Sequence, residues 1–334
     1  MSLPPVEVPT GAMRFNSDSQ KLEYYDGAQW LQVSTFSPLL NGGARGVFGG
    51  GEVEPTNINI IENITITSTG NSIDFGDLTN VSAHPSACSS STRGIFGGGQ
   101  GQSPTYIITN VIEYITISST GNAQDFGDLS GVRGNFFACS SSTRGVFGGG
   151  YTPTLINAIE YITIASTGNT QDFGDLSGVR GNFSACSSST RGVFGGGATP
   201  TLTNVIEFIT IASLGNATDF GDLSSSKRNS ESCSNSTRGI FGGGYNPAVI
   251  NVIEFITIAS LGNATDFGDL TAIKYYFAAC SSSTRGVFGG GFAPSQTNVI
   301  EYLTIASIGN AVDFGDLSGV RARLAALSNA HGGL

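Results

Sequence analysis

The chain has 334 residues, of which 48 are glycine and only 12% are charged, and its formal net charge is −10. This acidity argues against DNA or RNA as the main partner, because a phosphate backbone is bound by a basic surface. No apolar run reaches the roughly 18 residues of a membrane helix, and the opening MSLPPVEVPT lacks the regions of a signal peptide, so we expect assembly in a cytosol without membrane insertion.

The first element in chain order is a segment of 36 residues that does not repeat. Its alternating stretches MRF, KLEYY and QWLQV are separated by the polar turns NSDSQ and DGAQ, which predicts short β-strands. We therefore predict two domains, an N-terminal β-rich attachment segment over residues 1–36 and a repetitive domain over residues 37–334.

Six units of about 47 residues follow, and each is built from the same blocks. A repeat of about 40 to 50 residues is typical of propeller blades. We divide each unit into strand a (ACSSS), strand b (RGVFGGG), strand c (NVIEYITI) and strand d (the segment ending in DFGDL), with a turn at TGN or LGN before strand d. The sequence therefore predicts an all-β fold, a six-bladed β-propeller with a short N-terminal β segment.

The residue types of the strands indicate their places in a blade. Strand c carries apolar residues on both faces, Ile112 and Tyr114 on one and Ile115 and Ile117 on the other, as expected of a sheet between two others. The small residues of strand a suit a crowded centre. The glycines of strand b allow positive φ or a close approach of the neighbouring backbone.

Two segments compete to supply the innermost strand of the first blade. One is SPLLNGGARG, which begins at Ser37, and the other is the C-terminal RLAALSNAHGG, in which Leu327 takes the position of the cysteine. A six-bladed ring needs only one of them, so either end can close it.

One cysteine recurs at the same position in five of the units, and we interpret it as a small buried side chain, with disulfides or a metal site as alternatives. The recurring Glu of strand c and Asp pair of DFGDL are interpreted as structural ion pairs or turn hydrogen bonds. A ring of Ca²⁺ sites is the alternative, but Ca²⁺ takes about six to eight oxygens and each DFGD offers two carboxylates. We expect no metal site and no cofactor.

The arginines of strand b and the phenylalanines of DFGDL are assigned a structural role in the repeat. They are Arg45, Arg93, Arg144, Arg191, Arg238, Arg285, Phe75, Phe126, Phe173, Phe220, Phe267 and Phe314.

The units resemble the kelch repeat, in which a strand ending in Gly-Gly is followed by a strand with an aromatic residue and often by an arginine. Here GVFGGG stands at the double glycine, the DFGDL phenylalanines stand where the family usually has tryptophan, and Arg133, Arg180 and Arg321 match the later arginine. The resemblance spans about residues 39–334 and implies a six-bladed kelch-like propeller. The chain departs from the family in the missing tryptophan and in the high identity between units.

A second resemblance is to bacteriophage virion proteins. The opening Gly-Ala-Met-Arg-Phe-Asn, then LEYYDG and Trp30, is similar to segments common in those proteins, and repeats ending in DFGDL resemble those of cyanophage structural proteins. The resemblance implies a virion location after assembly in the host cytoplasm, contacts with other virion proteins through the N-terminal segment, and a homo-oligomer, a trimer as in phage fibres. An ordinary β-hairpin leader is the alternative.

The repeats differ mainly in two sets of loops, b–c loops such as YTPTLI and FAPSQT and d–a loops such as SGVRGNFFA and TAIKYYFAA. In an up-and-down blade these loops emerge on the same side, and loops on a rigid scaffold commonly carry binding. Candidate binding residues in them are basic or aromatic: Tyr106, Arg133, Phe137, Tyr151, Arg180, Lys227, Arg228, Tyr245, Lys274, Tyr275, Tyr276 and Phe292.

Two interpretations of the loop cations stay open. Arg133, Arg180 and Arg321 can contact a partner or can belong to the repeat and pack against strand b. Lys274, Tyr275 and Tyr276 break the pattern of the units, which favours a role in binding.

These features favour a non-enzymatic phage structural protein, a tail fibre, head fibre or other appendage, that presents a rigid face to a host-surface glycan or a virion protein. An enzyme is disfavoured, because catalysis needs carboxylates or ligands in different environments and nearly all acids here recur identically. The DFG letters lack the lysine strand and catalytic loop of a kinase. A cellular kelch-type scaffold or adhesin is the alternative function.

Overall fold

A computed structural model describes residues 8–16, 21–32, 44–101 and 107–334. These residues form strands and turns, with no helix among them and therefore none that could cross a membrane. They fall into two compact units, one within residues 1–43 and one from Ala44 to Leu334. The domain boundary predicted at residues 36 and 37 lies outside the described residues.

The N-terminal unit is a three-stranded antiparallel sheet. Its strands are Met13–Asn16, Lys21–Tyr25 and Trp30–Gln32. The DGAQ turn closes on the Asp26 carboxylate, which accepts hydrogen bonds from the backbone N–H groups of Ala28 and Gln29 at 2.8 Å. The three strands coincide with the predicted MRF, KLEYY and QWLQV stretches.

The larger unit contains six four-stranded antiparallel sheets, each with the strand order a-b-c-d. Sheet 1 consists of Ala325–Ser328, Arg45–Gly49, Ile60–Thr65 and Ile73–Asp77. Sheet 2 consists of Ser86–Ser89, Arg93–Gly97, Val111–Thr116 and Gln124–Asp128. Sheet 3 consists of Phe137–Ser140, Arg144–Gly148, Ala158–Thr163 and Gln171–Asp175. Sheet 4 consists of Ser184–Ser187, Arg191–Gly195, Val205–Thr210 and Thr218–Asp222. Sheet 5 consists of Glu231–Ser234, Arg238–Gly242, Val252–Thr257 and Thr265–Asp269. Sheet 6 consists of Ala278–Ser281, Arg285–Gly289, Val299–Thr304 and Val312–Asp316.

Four of the described b–c loops contain a two-stranded antiparallel ladder with two residues in each strand. They are Glu52–Val53 with Thr56–Asn57, Tyr151–Thr152 with Thr154–Leu155, Ala198–Thr199 with Thr201–Leu202, and Tyr245–Asn246 with Ala248–Val249. The four predicted strands of each unit are confirmed, and this all-β architecture is consistent with a β-propeller.

The apolar core lies between neighbouring sheets. Phe126 of sheet 2, for example, packs in one cluster with Ile162 and Ile164 of sheet 3. The prediction that strand c is apolar on both faces is confirmed at Ile112 and Ile115, whose side chains are buried. Each sheet is therefore covered on both faces, which explains why strand c lacks a polar alternation.

The double glycine at the end of strand b adopts left-handed backbone conformations. Gly149 has φ 57° and Gly150 has φ 105°, values that side chains disfavour. A Cβ at Gly149 would also lie 2.5 Å from the carbonyl oxygen of Arg180 in the next d–a loop. Both the turn and the close approach therefore require glycine here.

Strand a contacts the neighbouring strand a through serine hydroxyls. Ser140 Oγ donates to the Ser89 carbonyl oxygen at 2.8 Å, and Ser89 Oγ donates to that of Ser328 at 2.7 Å. The same bond recurs at the other inner strands, so six hydroxyls link each strand a to the next: Ser89, Ser140, Ser187, Ser234, Ser281 and Ser328.

The cysteines are free and buried, as the sequence predicts. Each thiol lies against the first glycine of strand b in the following sheet, so that a Cβ at Gly145 would stand 2.7 Å from Cys88 Sγ. Burial raises the pKa of the Cys139 thiol to about 12. Leu327 replaces the cysteine in sheet 1 and faces Gly94 in the same way.

The C-terminal segment supplies strand a of sheet 1. Ala325–Ser328 pairs antiparallel with Arg45–Gly49, while residues 37–43 of the competing segment lie outside the described part of the chain. Beyond this strand, His331 Nε2 lies 3.0 Å from the Ser89 carbonyl oxygen, and Gly332 N donates to that of Ser234 at 3.0 Å. His331 Nε2 also lies 3.3 Å from Ser140 Oγ, so the tail contacts the strand-a ends of three further sheets.

The arginines and phenylalanines assigned to the repeat make recurring contacts. Arg144 Nη1 donates to the Ile211 carbonyl oxygen of the next sheet at 2.6 Å, and its guanidinium lies 4.4 Å from the Tyr161 ring centroid. Phe173 of DFGDL is buried and packs edge-on against Tyr161. Equivalent backbone contacts are made by the other five strand-b arginines.

Candidate binding face

The variable loops of the larger unit lie together on one side of the sheets. In each sheet one residue of the d–a loop forms an isolated β-bridge with one residue of the b–c loop, as Gly134 does with Tyr151 and Tyr275 does with Phe292. We call the surface formed by the b–c and d–a loops the loop face. The prediction that both variable sets share a side is therefore confirmed for the described loops.

The structure corrects the expectation that the loop cations face a partner. Arg133 Nη2 lies 2.6 Å from Glu160 Oε1, and Lys274 Nζ lies 2.5 Å from Glu301 Oε1. Both side chains are at most 2% exposed. The glutamates are those of strand c, so these cations satisfy buried carboxylates of the adjoining sheet and present no charge at the surface.

Three more cations behave in the same way. Arg321 Nη2 lies 2.6 Å from Glu62 Oε2, and Arg180 pairs with Glu207. Lys227 Nζ lies 2.5 Å from Glu254 Oε1, as an ion pair without hydrogen-bond alignment. The alternative interpretation, in which the loop cations belong to the repeat, is therefore correct, with the strand-c glutamate rather than strand b as the principal partner. It also covers Lys227 and Lys274.

Burial and pairing oppose each other in these ion pairs. Burial lowers the pKa of Lys227, and the Glu254 carboxylate partly offsets that effect. Burial alone would raise the pKa of Glu160, but Arg133 and hydrogen bonds from Ser130 and Thr170 outweigh it and lower the pKa. Removing either partner would leave a buried charge without compensation.

A ring of residues with positive φ marks the inner edge of the loop face. The d–a loops place Asn135, Asn182 and Asn229 at φ 54–57°, a conformation that asparagine tolerates. The same position in the other three units holds His84, Tyr276 and Arg323, at φ 54°, 55° and 60°. Of these three, Tyr276 and Arg323 are unfavourable in this conformation, whereas histidine, like asparagine, is enriched in it.

The three exceptional residues are in mutual contact and join an aromatic cluster. The rings of His84 and Tyr276 are 5.0 Å apart, and the Arg323 guanidinium lies 5.1 Å from the Tyr276 ring centroid. Tyr275 stacks on Phe292 with centroids 5.4 Å apart and an interplanar angle of 26°. We call these five residues the aromatic cluster. It combines the half-buried rings of Tyr275 and Tyr276 and the buried ring of Phe292 with a cation, which suits a ligand that offers a flat apolar face and acceptor oxygens.

A small cavity of about 30 Å³ adjoins the aromatic cluster, with room for one or two water molecules. Its lining includes Asn229, Glu231, Phe137 and Tyr276. Among the described residues no hydrogen bond or ion pair reaches the Glu231 carboxyl, and the buried Asn229 Oδ1 has no partner. The cavity wall thus contains acceptor oxygens that lack partners within the protein.

Two titratable groups at this cavity have shifted pKa values. Burial raises the pKa of Glu231 well above its usual range. Burial, and then the positive charge of Arg323, lower the pKa of His84 to about 3. At neutral pH the imidazole is therefore uncharged.

The remaining predicted residues are spread over the loop face. Tyr151 is 40% exposed, and the exposed Arg228 lies over the half-buried Tyr245 ring at 5.4 Å. Phe137 is half-buried and packs 5.5 Å from Phe183. Tyr106 lies outside the described residues.

The loop-residue prediction omitted His84, Glu231 and Arg323. Each departs from the repeat at a fixed position: His84 and Arg323 replace asparagine, and Glu231 replaces a small or apolar residue at the start of strand a. A position-by-position comparison of the six units would have shown all three. Among the described residues, no group of three or more His, Cys, Asp or Glu side chains could hold a metal ion.

Comparison with known proteins gives no relative on which to base a function. No protein-family profile matches the chain, and no curated protein matches it.

Proposed function

We propose that the protein is a non-enzymatic bacteriophage virion protein in which the six sheets are the blades of a closed, six-bladed, kelch-like propeller. The cyclic order of the six serine hydrogen bonds supports closure, because the bond from Ser89 to Ser328 joins the first and last inner strands. The C-terminal strand in sheet 1 supports it further, since it ties the two ends of the repeat region together.

We further propose that the loop face binds a host-surface glycan through the aromatic cluster. The observation that carries this proposal is the stack of Tyr275 on Phe292, flanked by Tyr276 and Arg323. Aromatic rings pack against the apolar faces of sugars, and a guanidinium binds their oxygens or acidic groups. The recurring carboxylates support a role without catalysis, because the strand-c glutamates have equivalent structural partners in five sheets.

The virion location rests on the N-terminal resemblance to phage proteins. In this proposal the N-terminal sheet contacts other virion proteins, and several copies, three if the resemblance extends to assembly, present the loop face together. Several weak sites on one particle would then act through avidity.

Binding to an array of purified bacterial surface polysaccharides tests the glycan part. We expect Tyr275→Ala to abolish binding that the intact protein shows. Leu261→Ala is the matched control, because Leu261 is an exposed apolar residue in a c–d turn, on the opposite side of the sheet. Equal loss in both variants, or no binding to any polysaccharide, would refute the glycan proposal.

Antibody labelling of intact particles tests the virion part separately. Labelled particles without polysaccharide binding would favour a virion protein as the ligand of the loop face. An unlabelled particle would favour the cellular kelch-type scaffold.

A further inference from the structure

One of the six buried ion-pair positions lacks its cation. In sheets 1, 3, 4, 5 and 6, an arginine or lysine of the preceding d–a loop pairs with the strand-c glutamate. In sheet 2 the repeat places Ser82 at that position. No cation pairs with Glu113, the glutamate of sheet 2, within the described part of the chain.

Glu113 still accepts hydrogen bonds of the kind that the equivalent glutamate accepts in sheet 3. Thr79 donates to the carboxylate through its backbone N–H at 2.9 Å and its hydroxyl at 2.5 Å. In sheet 3, Ser130 makes the same two kinds of contact to Glu160. Glu113 is only 8% exposed. The carboxylate is therefore fixed in place and nearly buried, yet the charge that balances it elsewhere is missing.

A cavity of about 300 Å³ lies beside this carboxylate. It is lined by Ser82, Phe96, Val111 and Glu113, among others. In sheet 4 the equivalent cavity, of about 350 Å³, is lined by Arg180 and not by Glu207, so the cation rather than the carboxylate forms its wall. The cavity of sheet 2 instead has a carboxylate wall and mostly apolar sides, as a long cationic side chain requires.

The backbone acceptors for a guanidinium are also present. In sheet 4, Arg180 Nη1 lies 3.1 Å from the Val205 carbonyl oxygen and 3.3 Å from that of Gly196. The equivalent residues in sheet 2 are Val111 and Gly98, and both line the cavity. A planar guanidinium would thus meet a carboxylate and two carbonyl oxygens, which matches its fork of donors.

We propose that the cavity beside Glu113 is a binding site for an arginine side chain of a partner protein. The guanidinium would take the place that Arg133 and Arg180 hold in sheets 3 and 4, and the stem would pack against Phe96 and Pro85. This site goes beyond the glycan proposal, since none of its residues belongs to the aromatic cluster.

The experiment measures binding of methylguanidinium to the full chain, by calorimetry and by the rise in Tm at constant ionic strength. We expect saturable binding that is absent in Ser82→Arg, because the new side chain fills the cavity and pairs with Glu113. Ser82→Arg should itself raise Tm. Glu113→Gln, which keeps an acceptor for Thr79, should weaken binding about tenfold or more.

A second variant creates an equivalent site in sheet 3, where the cation that occupies it is known. Arg133→Ser removes the cation beside Glu160, and methylguanidinium should restore part of the lost Tm. A short peptide with one arginine should bind the intact protein, while the same peptide with neutral citrulline should not. Equal binding to the intact protein, Ser82→Arg and Glu113→Gln would overturn the proposal, as would no binding to the intact protein. If Ser82→Arg fails to fold, the comparison of methylguanidinium binding between the intact protein and Glu113→Gln still tests the proposal.

Discussion

The backbone N–H of Arg323 donates a 2.8 Å hydrogen bond to the carbonyl oxygen of Tyr276, although both residues have left-handed backbone conformations. Asn229 and Asn182 make the same contact two units earlier, at 2.9 Å. The backbone of this ring is thus conserved between units while the side chains are exchanged. The exchange costs about 1 kcal/mol for a tyrosine or an arginine at this position.

Substitutions in both directions test that cost. We expect Tyr276→Asn to leave the free energy of unfolding within about 1 kcal/mol of the original, because relief of backbone strain offsets the lost ring contacts. The reverse change, Asn182→Tyr, should lower it by about 1 kcal/mol, because the new ring gains no comparable partners. Urea unfolding measures both, and a neutral Asn182→Tyr would contradict the argument. Only Tyr276→Asn should weaken polysaccharide binding.

His84 should make the protein sensitive to acid. The pKa of His84 is about 3 in the folded protein, whereas the value for an exposed imidazole, as in the unfolded chain, is 6.5. Between these values the unfolded chain binds a proton that the folded protein does not, so stability falls as pH decreases through this window. His84→Asn, which restores the asparagine of other units, should remove this part of the pH dependence. Unfolding in urea at several pH values between 3 and 6.5 measures it, and parallel curves would count against a buried neutral imidazole.

Glu231 should affect the pH dependence of stability in the opposite direction from His84. Its pKa is raised by burial, so the folded protein retains a proton that the unfolded chain releases. Stability is then lost as pH rises above the ordinary glutamate value, and the loss is complete above the folded pKa. We expect Glu231→Gln to be more stable than the original at neutral pH, with the difference vanishing below about pH 4. A variant that is less stable at neutral pH would show that the carboxylate has a stabilising partner.

The contact between Cys88 and Gly145 should not accept a larger side chain. A Cβ at Gly145 would meet the Cys88 sulfur at 2.7 Å, closer than real contacts allow. We expect Gly145→Ala to destabilise the protein by about 1–3 kcal/mol through overpacking, while Gly131→Ala, where nothing lies within 4 Å, should be nearly neutral. Adding Cys88→Ala to Gly145→Ala should recover part of the loss. Thermal unfolding of the original protein, the single variants Cys88→Ala and Gly145→Ala, and the double variant completes the cycle, and strict additivity would rule out the direct contact.

The buried ion pairs should depend on charge more than on the identity of the cation. Arg180→Leu leaves Glu207 buried without a cation, although Ser177 N still donates to it, and this should cost about 3–5 kcal/mol. Arg180→Lys should retain most of the stability, because Lys227 and Lys274 occupy the equivalent position in other sheets. Equilibrium unfolding distinguishes the two variants. An equal loss in both would mean that the hydrogen bonds of Arg180 to backbone carbonyls matter more than the ion pair.

The strands could be predicted from the sequence because six copies of one pattern reinforce each other. Glycine, small residues and the apolar stretch of strand c fall at fixed positions, so strand limits can be read from any unit. The partners of the loop cations could not be predicted, because Arg133 and Lys274 lie among glycine, asparagine and aromatic residues that are typical of an exposed loop. Their glutamates lie 27 residues further along the chain, and only the packing of a loop against strand c brings them together.

The small cavity beside the aromatic cluster shows a second reason why part of the site could not be predicted from the sequence. Glu231 was visible as a departure from the repeat, yet its environment depends on side chains from several units that meet only in the folded protein. Ser82 also departs from the repeat in the sequence, but the missing cation beside Glu113 can be recognised only after the ion pairs of the other five sheets are known. A repetitive sequence therefore reveals its scaffold readily and its exceptions only by comparison among units.

The pairing of Ala325–Ser328 with Arg45–Gly49 has a consequence for biosynthesis. Sheets 2 to 6 are each contiguous in sequence, so each can assemble soon after it leaves the ribosome, whereas sheet 1 waits for a strand made after all the others. Until that strand arrives, Arg45–Gly49 is an open edge that another nascent chain can add to. Two chains made on neighbouring ribosomes of one message could therefore meet through that edge before either is complete.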